Sequence, residues 1–397
     1  MGLTALQQHG AGLGATSTGY ATGEYRGAVT AARFGDPQAE LRALRGGCGV
    51  YDLGYRAKIS LTGTDRVRWL NGMVTNNIRD LAVGHGVYSF LLNPQGHILG
   101  DLYAYNRGES ITVDTDSAQV ERILATFDHY IIMDDVEVKR LAAEDVRGSA
   151  SLEGSTKAGA AEVSAREVTA LGIAGPKARE VMEKAGMELP ELQPLQLHEI
   201  RCDCECGCVE CTVVRGDEAT ESYEIWLGPE RVRLLWDALL KAGAAAVGSE
   251  ALELHRIGAG IPLYGVDIRE RDLPQETEQA RALNFNKGCY IGQEIVERIR
   301  SRGAVHRKFS GFLAEGGKAI ERGTKIVAGE KEVGEITSAA SFRLEQGEKT
   351  VALGYIRREV GTPGREVTIG GVKATAIALP VDDDLLRRET ALHQHSA

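Results

Sequence analysis

Beyond Gly303 the sequence stops producing helical periodicity, and this constrains the fold more than any other feature. "RKFSGFLA" (307–314), "KIVAGEKEVGEITSAAS" (325–341), "TVALGYIRR" (350–358) and "REVTIGGVKATAIAL" (365–379) are short alternating stretches separated by glycine turns. A run of such strands without helices satisfies its backbone as a small β-barrel or sandwich. The 397 residues exceed one ordinary core, and the part before Gly303 has a different texture. The fold class expected is α+β: two α+β units followed by a small C-terminal β-barrel.

The first unit, 1–145, alternates strands and helices. "RAKISLTG" (56–63) is a strand, and "TDRVRWLNGMV" (64–74) a helix capped by Thr64 or Asp65. Residues 86–115 give three strands with turns at Asn93–Gly96 and Arg107-Gly108. "SAQVERILATFDHYI" (117–131) is an amphipathic helix. Residues 146–165 are small, polar and aperiodic, a linker or long loop. The second unit, 146–302, repeats the alternation, with strands at 168–175 and 221–228 and helices at 176–187, 229–244 and 249–262. The barrel occupies 303–381, and 382–397 is a polar, frayed tail.

Composition excludes several functions. A net charge of -10 disfavours nucleic acid as partner. No apolar run approaches the roughly 18 residues of a membrane span. The N-terminus lacks a secretory pattern, so the chain reads as cytoplasmic. "GAGLGA" at Gly10–Ala15 matches a dinucleotide fingerprint but lacks the strand before it and the helix after it. Arg298, Arg300, Arg302, His306, Arg307 and Lys308 form a local basic stretch, either a solvated surface or a site for a small polyanion.

Seven cysteines without a secretory context argue against a disulfide framework, and five of them crowd into "CDCECGCVEC". On one extended strand Cys202, Cys204, Cys206 and Cys208 would share a face at about 6.6 Å spacing. Sulfurs around one tetrahedral metal ion lie about 3.8 Å apart. Neighbours on a straight strand therefore cannot chelate, and the pattern reads as cysteines packed inward, with Asp203 and Glu205 outward; a metal or cluster scaffold through Cys202–Cys211 is the alternative. Asp101 and Arg256 are charges in apolar surroundings, each either functional or structurally paired. Cys289 precedes a helix start with Lys287 nearby; packing and reactivity are both open.

"KGCYIGQE" at Lys287–Glu294 resembles the signature of the YgfZ family, folate-binding proteins related to the glycine-cleavage T-protein. "RIGAGIPLYGVDIRERDLPQE" (256–276), "GEITSAAS" with "ALGYIRREVGTPG" (334–364), and "YDLGYRAKISLTGTDRVRWLNGMVTNNI" (51–78) resemble the same family. The resemblance covers most of 41–381 and is weakest over 146–215.

The resemblance implies three domains around a central channel that holds tetrahydrofolate. It implies folate-dependent support of iron–sulfur proteins, with iron–sulfur client or assembly proteins as partners. The alternative is the T-protein activity, an aminomethyltransferase passing a one-carbon unit to tetrahydrofolate. Cys289 and Asp101 are then the candidate catalytic groups, and Tyr88, Asp101, Glu224, Arg256, Lys287 and Tyr290 the folate-binding set, with no metal site. Two departures count against an intact aminomethyltransferase. Gly100-Asp101 stands where T-proteins have two acids, and "GDEAT" (216–220) replaces their "GYTGE", leaving Glu221 or Glu224 to substitute.

Overall fold

The computed structural model describes residues 2–8, 20–141, 167–204, 207–217, 220–303, 305–315, 319–344 and 347–379. The expectations on Gly10–Ala15, on the linker 146–165 and on the tail 382–397 fall outside them. The chain divides into two compact units. One comprises 1–91, 101–251 and 286–288; the other comprises 92–100, 252–285 and 289–397.

The first unit opens with α1 (Ala5–Gln8) and a hairpin of β1 (Ala21–Tyr25) and β2 (Ala28–Arg33). The two turn residues, Arg26 and Gly27, have φ of 48° and 99°, the left-handed geometry that twists a two-residue turn with its strands. Next come α2 (Pro37–Gly46), whose Asp36 cap accepts a bond from the Gln38 N–H, and β3 (Gly49–Asp52).

A five-stranded sheet follows. Its members are β4 (Arg56–Thr62), β5 (Gly86–Leu92), β6 (Ile98–Asn106), β7 (Ile111–Asp116) and β8 (Glu137–Arg140), in the order β5-β6-β7-β4-β8. Two helices interleave with these strands, α3 (Arg66–Met73) and α4 (Val120–Tyr130). Their buried Trp69 and Phe127 meet edge to face at 5.1 Å. Asp65 stands at the start of α3, but its carboxylate accepts the Asp135 N–H instead of capping the helix.

The second sheet contains β9 (Thr169–Ala174), β10 (Leu197–Cys204), β11 (Gly207–Arg215), β12 (Ser222–Leu227) and β13 (Ala245–Val247), with α5 (Ala178–Lys184) and α6 (Val232–Lys241) between strands. Its order, β10-β11-β12-β9-β3-β13, includes β3 from the start of the chain. The pairing crosses the boundary drawn at 145 from the sequence, and so does the core. Leu6, Cys48 and Val50 pack with Leu171, Ile225, Leu235 and Trp236. Each of these strands finds its partners by surface complementarity, and sequence distance adds only a slowly growing loop cost.

The cysteine run corrects the single-strand expectation. β10 and β11 form an antiparallel hairpin pairing Cys202 with Val209, Asp203 with Cys208 and Cys204 with Gly207. The chain reverses inside "CDCECGCVEC", so the run is not one continuous strand. The buried Cys202 and Cys211 belong to the apolar core, and the Cys202 thiol donates to the Ala185 carbonyl at 3.4 Å. Among the described residues, no group of three His, Cys, Asp or Glu side chains could hold a metal ion.

The second unit holds most of α7 (Ser249–Ala259), α8 (Gln293–Arg302) and six strands: β14 (Arg307–Glu315), β15 (Lys325–Ala328), β16 (Lys331–Leu344), β17 (Gly347–Arg357), β18 (Glu366–Ile369) and β19 (Val372–Ile377). They close into a barrel in the order β14-β17-β16-β15-β18-β19 around Phe312, Ile336, Ile356 and Ile369. Closure leaves no unpaired sheet edge. The glycine opening α8 is required by its surroundings. Gly292 has φ 80°, and a Cβ there would fall 2.6 Å from the Asn93 carbonyl oxygen, so "YIGQE" needs glycine to pack on the 93–96 turn. No helix among the described residues is long and apolar enough to cross a membrane.

Candidate functional site

Strand alternation in the first sheet produces two unlike faces. One carries Ala57, Ile59 and Leu61 of β4, Leu102 and Ala104 of β6, and Ile111 and Val113 of β7, all buried. The other carries Arg56 and Lys58, then Asp101, Tyr103 and Tyr105, then Asp114 and Asp116. Register sets Lys58 opposite Asp114, Arg56 opposite Asp116, and Tyr103 opposite Asp114. An aromatic row runs along this polar face. Centroid separations are 5.6 Å for Phe90–Tyr88, 5.0 Å for Tyr88–Tyr103, 6.4 Å for Tyr103–Tyr105 and 5.2 Å for Tyr105–Trp226 of the second sheet.

Ion pairs tie the row together. Asp114, with no exposed side-chain surface, lies 2.6 Å from Arg56 Nη2 and 2.7 Å from Lys58 Nζ. Arg56 also reaches Asp116 at 2.9 Å. Burial alone would raise the Asp114 carboxyl, but Arg56 and Lys58 outweigh it and hold it below the usual carboxylate range. Lys58 lies 4.9 Å from the Trp226 ring centroid and 3.7 Å from Glu224 Oε2, and that oxygen accepts the Trp226 Nε1–H at 2.9 Å. Glu224 thus ends one side of the row, beside a cavity of about 90 Å³ lined in part by Tyr51, Tyr103, Tyr105, Arg215 and Tyr223. That exceeds the roughly 10–15 Å³ a single water needs.

Asp101 stands near the other end. The Tyr88 hydroxyl donates to its Oδ2 at 2.7 Å, and the Gln119 Nε2–H donates to its Oδ1 at 2.7 Å. Burial, followed by the negative charge of Asp116, pushes this carboxyl up, against the lowering effect of those two donors and of Arg56. The polar face therefore holds one carboxyl that its neighbours lower, Asp114, and one that burial raises, Asp101. Environments that push two acids apart mark acid–base chemistry.

The other expected residues are placed differently. Tyr88 and Asp101 come together directly, and Glu224 joins them through the Arg56–Lys58 ladder. Glu221, the other acid considered, accepts the Tyr223 hydroxyl at 2.7 Å. Lys287 is buried, and its ammonium donates to the carbonyls of Asn71, Val74 and Asn76 at 2.5, 2.5 and 2.7 Å. Burial pulls it down to about 7, and three acceptors match its three N–H bonds, so it pins the 71–76 segment instead of presenting a charge to a ligand.

Arg256, in the second unit, has its donors engaged within the protein. Its Nε–H donates to Glu253, its Nη1 to the Ile261 carbonyl and to Asp267, and its Nη2 to Glu253 and Ser338. Those bonds use all the N–H groups of a guanidinium. Tyr290 is buried in that unit, and burial raises its hydroxyl to about 12. Cys289 is exposed, whereas Cys48, Cys202 and Cys211 are buried; burial raises the Cys48 thiol to about 12. A maleimide pulse on the native protein, read by peptide mass spectrometry, modifies Cys289 and spares those three until denaturant is added. Equal labelling of Cys48 and Cys289 in the native state would contradict this placement.

Arg56, Lys58, Asp114, Asp116 and Gln119 were not singled out from the sequence. A signal was available for four of them: charges spaced two apart within strands, Arg56 and Lys58 in "RAKIS" and Asp114 and Asp116 in "TVDTD". Gln119 carried none.

The family model described as the GCVT N-terminal domain matches residues 3–287. An aminomethyltransferase of Streptomyces coelicolor is 27% identical, the match covering 91% of each chain. One of Caldanaerobacter subterraneus is 24% identical over 87% of each chain. A putative chloroplastic transferase of Arabidopsis thaliana is 25% identical over 85% of this chain and 72% of its own. Among solved structures, the glycine cleavage system aminomethyltransferase T of Bartonella henselae superposes with a TM-score of 0.79 at 21% identity, covering 96% of this chain and 98% of that one. At that identity the likeness speaks for the fold.

Proposed function

Since the chain belongs to the GCVT family, we propose that it binds a reduced folate on the polar face of the first unit and transfers an aminomethyl-type one-carbon unit to tetrahydrofolate. The observation that carries this reading is the Tyr88–Asp101–Gln119 arrangement beside an aromatic row. A pterin is a flat ring system with N–H donors on its edge. Such a group is met by carboxylate acceptors and aromatic faces in a partly buried cleft. Asp101 and Glu224 are the acceptors, and the tyrosines supply the faces. Tetrahydrofolate, when bound, supplies the amine that receives the one-carbon unit. The residues orient that ring, and Asp101, whose carboxyl is raised by burial and by Asp116, is the group placed to take up or give back a proton.

A second reading, that the protein binds folate in support of iron–sulfur proteins, is favoured by two observations. Gly100 stands where the T-protein pattern has an acid, and the cysteine of "KGCYIGQE" is exposed.

Calorimetry with tetrahydrofolate, paired with an assay of ammonia release from an aminomethylated lipoyl carrier protein, separates the two. Asp101→Asn and Glu224→Gln are the controls. Saturable binding with ammonia release, both weakened at least tenfold by Asp101→Asn, is the expected result. Binding without release turns the conclusion to the second reading. A folded protein that does not bind removes both.

A further inference from the structure

Gln119 lies on the short turn Ser117–Gln119 between β7 and α4 and is 5% exposed. Its amide makes two bonds to one residue. Nε2–H donates to Asp101 Oδ1 at 2.7 Å, and Oε1 accepts the Asp101 backbone N–H at 3.0 Å. The second bond fixes which end of the amide is which, because a backbone N–H can only donate. The amide therefore always presents a donor to Oδ1. The partner of Oδ2 is of another kind: the Tyr88 hydroxyl donates to it at 2.7 Å but can rotate and accept. The carbonyl oxygen of a protonated carboxyl is the better acceptor of its two oxygens, so a permanent donor at Oδ1 leaves the acidic hydrogen to Oδ2.

We infer that Gln119 is the positioning residue of this site, fixing the side chain of Asp101 and directing its exchangeable proton to Oδ2, on the Tyr88 side. This rests on the reading of Asp101 as the ligand-binding and acid–base carboxyl. A proton leaving a bound N–H arrives at Oδ2; the Tyr88 hydroxyl turns its own hydrogen away and accepts from the carboxyl it previously donated to.

The turn itself is held in place. The Ala118 N–H donates to the Arg26 carbonyl at 3.2 Å and the Ser117 N–H to the Tyr55 carbonyl at 2.8 Å. A Cβ on Gly27 would meet Ala118 N at 2.6 Å, so the hairpin tip sits directly against the turn. The other charged groups acting on Asp101 are Asp116 and Arg56. Arg26 lies 3.6 Å from Asp116 and Arg56 2.9 Å from it. None of these distinguishes Oδ1 from Oδ2 by a direct bond.

The test needs no bound ligand. The full chain is labelled with carbon-13 at the aspartate carboxyls, the Asp101 signal is assigned by its loss in Asp101→Asn, and the signal is titrated. Gln119→Met keeps the size and removes the donor, and raises the Asp101 midpoint by about one pH unit. Gln119→Glu sets a second carboxyl against Oδ1, so the pair shares a proton and titrates in two separated steps. Tetrahydrofolate affinity falls about tenfold in Gln119→Met. Gln119→Asn, one methylene short, is the fallback should Gln119→Met not fold, with the same upward shift. An Asp101 midpoint unmoved in every folded variant overturns the inference and leaves Gln119 a packing residue. A shifted midpoint in a protein that binds no tetrahydrofolate upholds the clamp and overturns only the folate reading.

Discussion

Asp114→Asn loses about 3–5 kcal/mol of stability in urea unfolding of the full chain, the cost of stranding buried charge when one partner of a buried pair is removed. The side chains of Lys58 and Asp114 are 1% and 0% exposed, and Lys58 would be left with only Glu224 at 3.7 Å. Arg56 keeps Asp116. The double substitution Lys58→Met with Asp114→Leu recovers most of the loss, because both charges then leave the interior together. Recovery separates the ion pair from a packing defect, which would deepen with the second change. The pH dependence has a definite sign. The Asp114 carboxyl is held below its unfolded value, so its contribution is fully present above the ordinary carboxylate pKa of about 3.9 and disappears as pH falls through the folded value. Wild type therefore loses more stability than Asp114→Asn on acidification below about pH 4. Parallel acid curves for the two proteins would refute this.

Arg256→Met destabilises the second unit by about 3–5 kcal/mol, while the folate affinity of the protein that remains folded is unchanged. The fully buried Asp267 accepts from Arg256 at 2.7 Å, from Ser338 at 2.7 Å and from Thr337. Its charge is stranded when the guanidinium goes. Thermal unfolding reads the first effect, and calorimetry well below the transition reads the second. Lost affinity with unaltered stability would mean that Arg256 releases its partners for the ligand, and the structural assignment would fail.

In the sequence Arg256 announced itself as a charge in an apolar helix, but the same pattern fits a ligand contact and an internal ion pair. Only the converging bonds to Glu253, Asp267, Ile261 and Ser338 decide between them. Asp101 and Tyr88 were singled out from sequence and do meet. Gln119 was invisible, because a glutamine after a strand has no periodic or compositional mark and gains its role from the turn that swings it back. The inward packing read for Cys202 holds, but the alternation was carried through a stretch where the chain reverses, and no local mark announced that reversal.

What the sequence by itself determined is local. Period-two stretches after Gly303 demanded an all-β domain, and its strands form one. The helices between 64 and 131, and the Asn93–Gly96 and Arg107-Gly108 turns, followed from apolar spacing and glycine placement. Each depends on residues a few positions apart, where φ/ψ preference and side-chain period act. Tertiary structure alone decided that β3 enters the second sheet, the order in which the barrel strands pair, and that Arg56, Lys58, Asp114 and Glu224 share one polar face. Register and sheet order are settled by contacts between segments distant in sequence, and no local pattern encodes the partner.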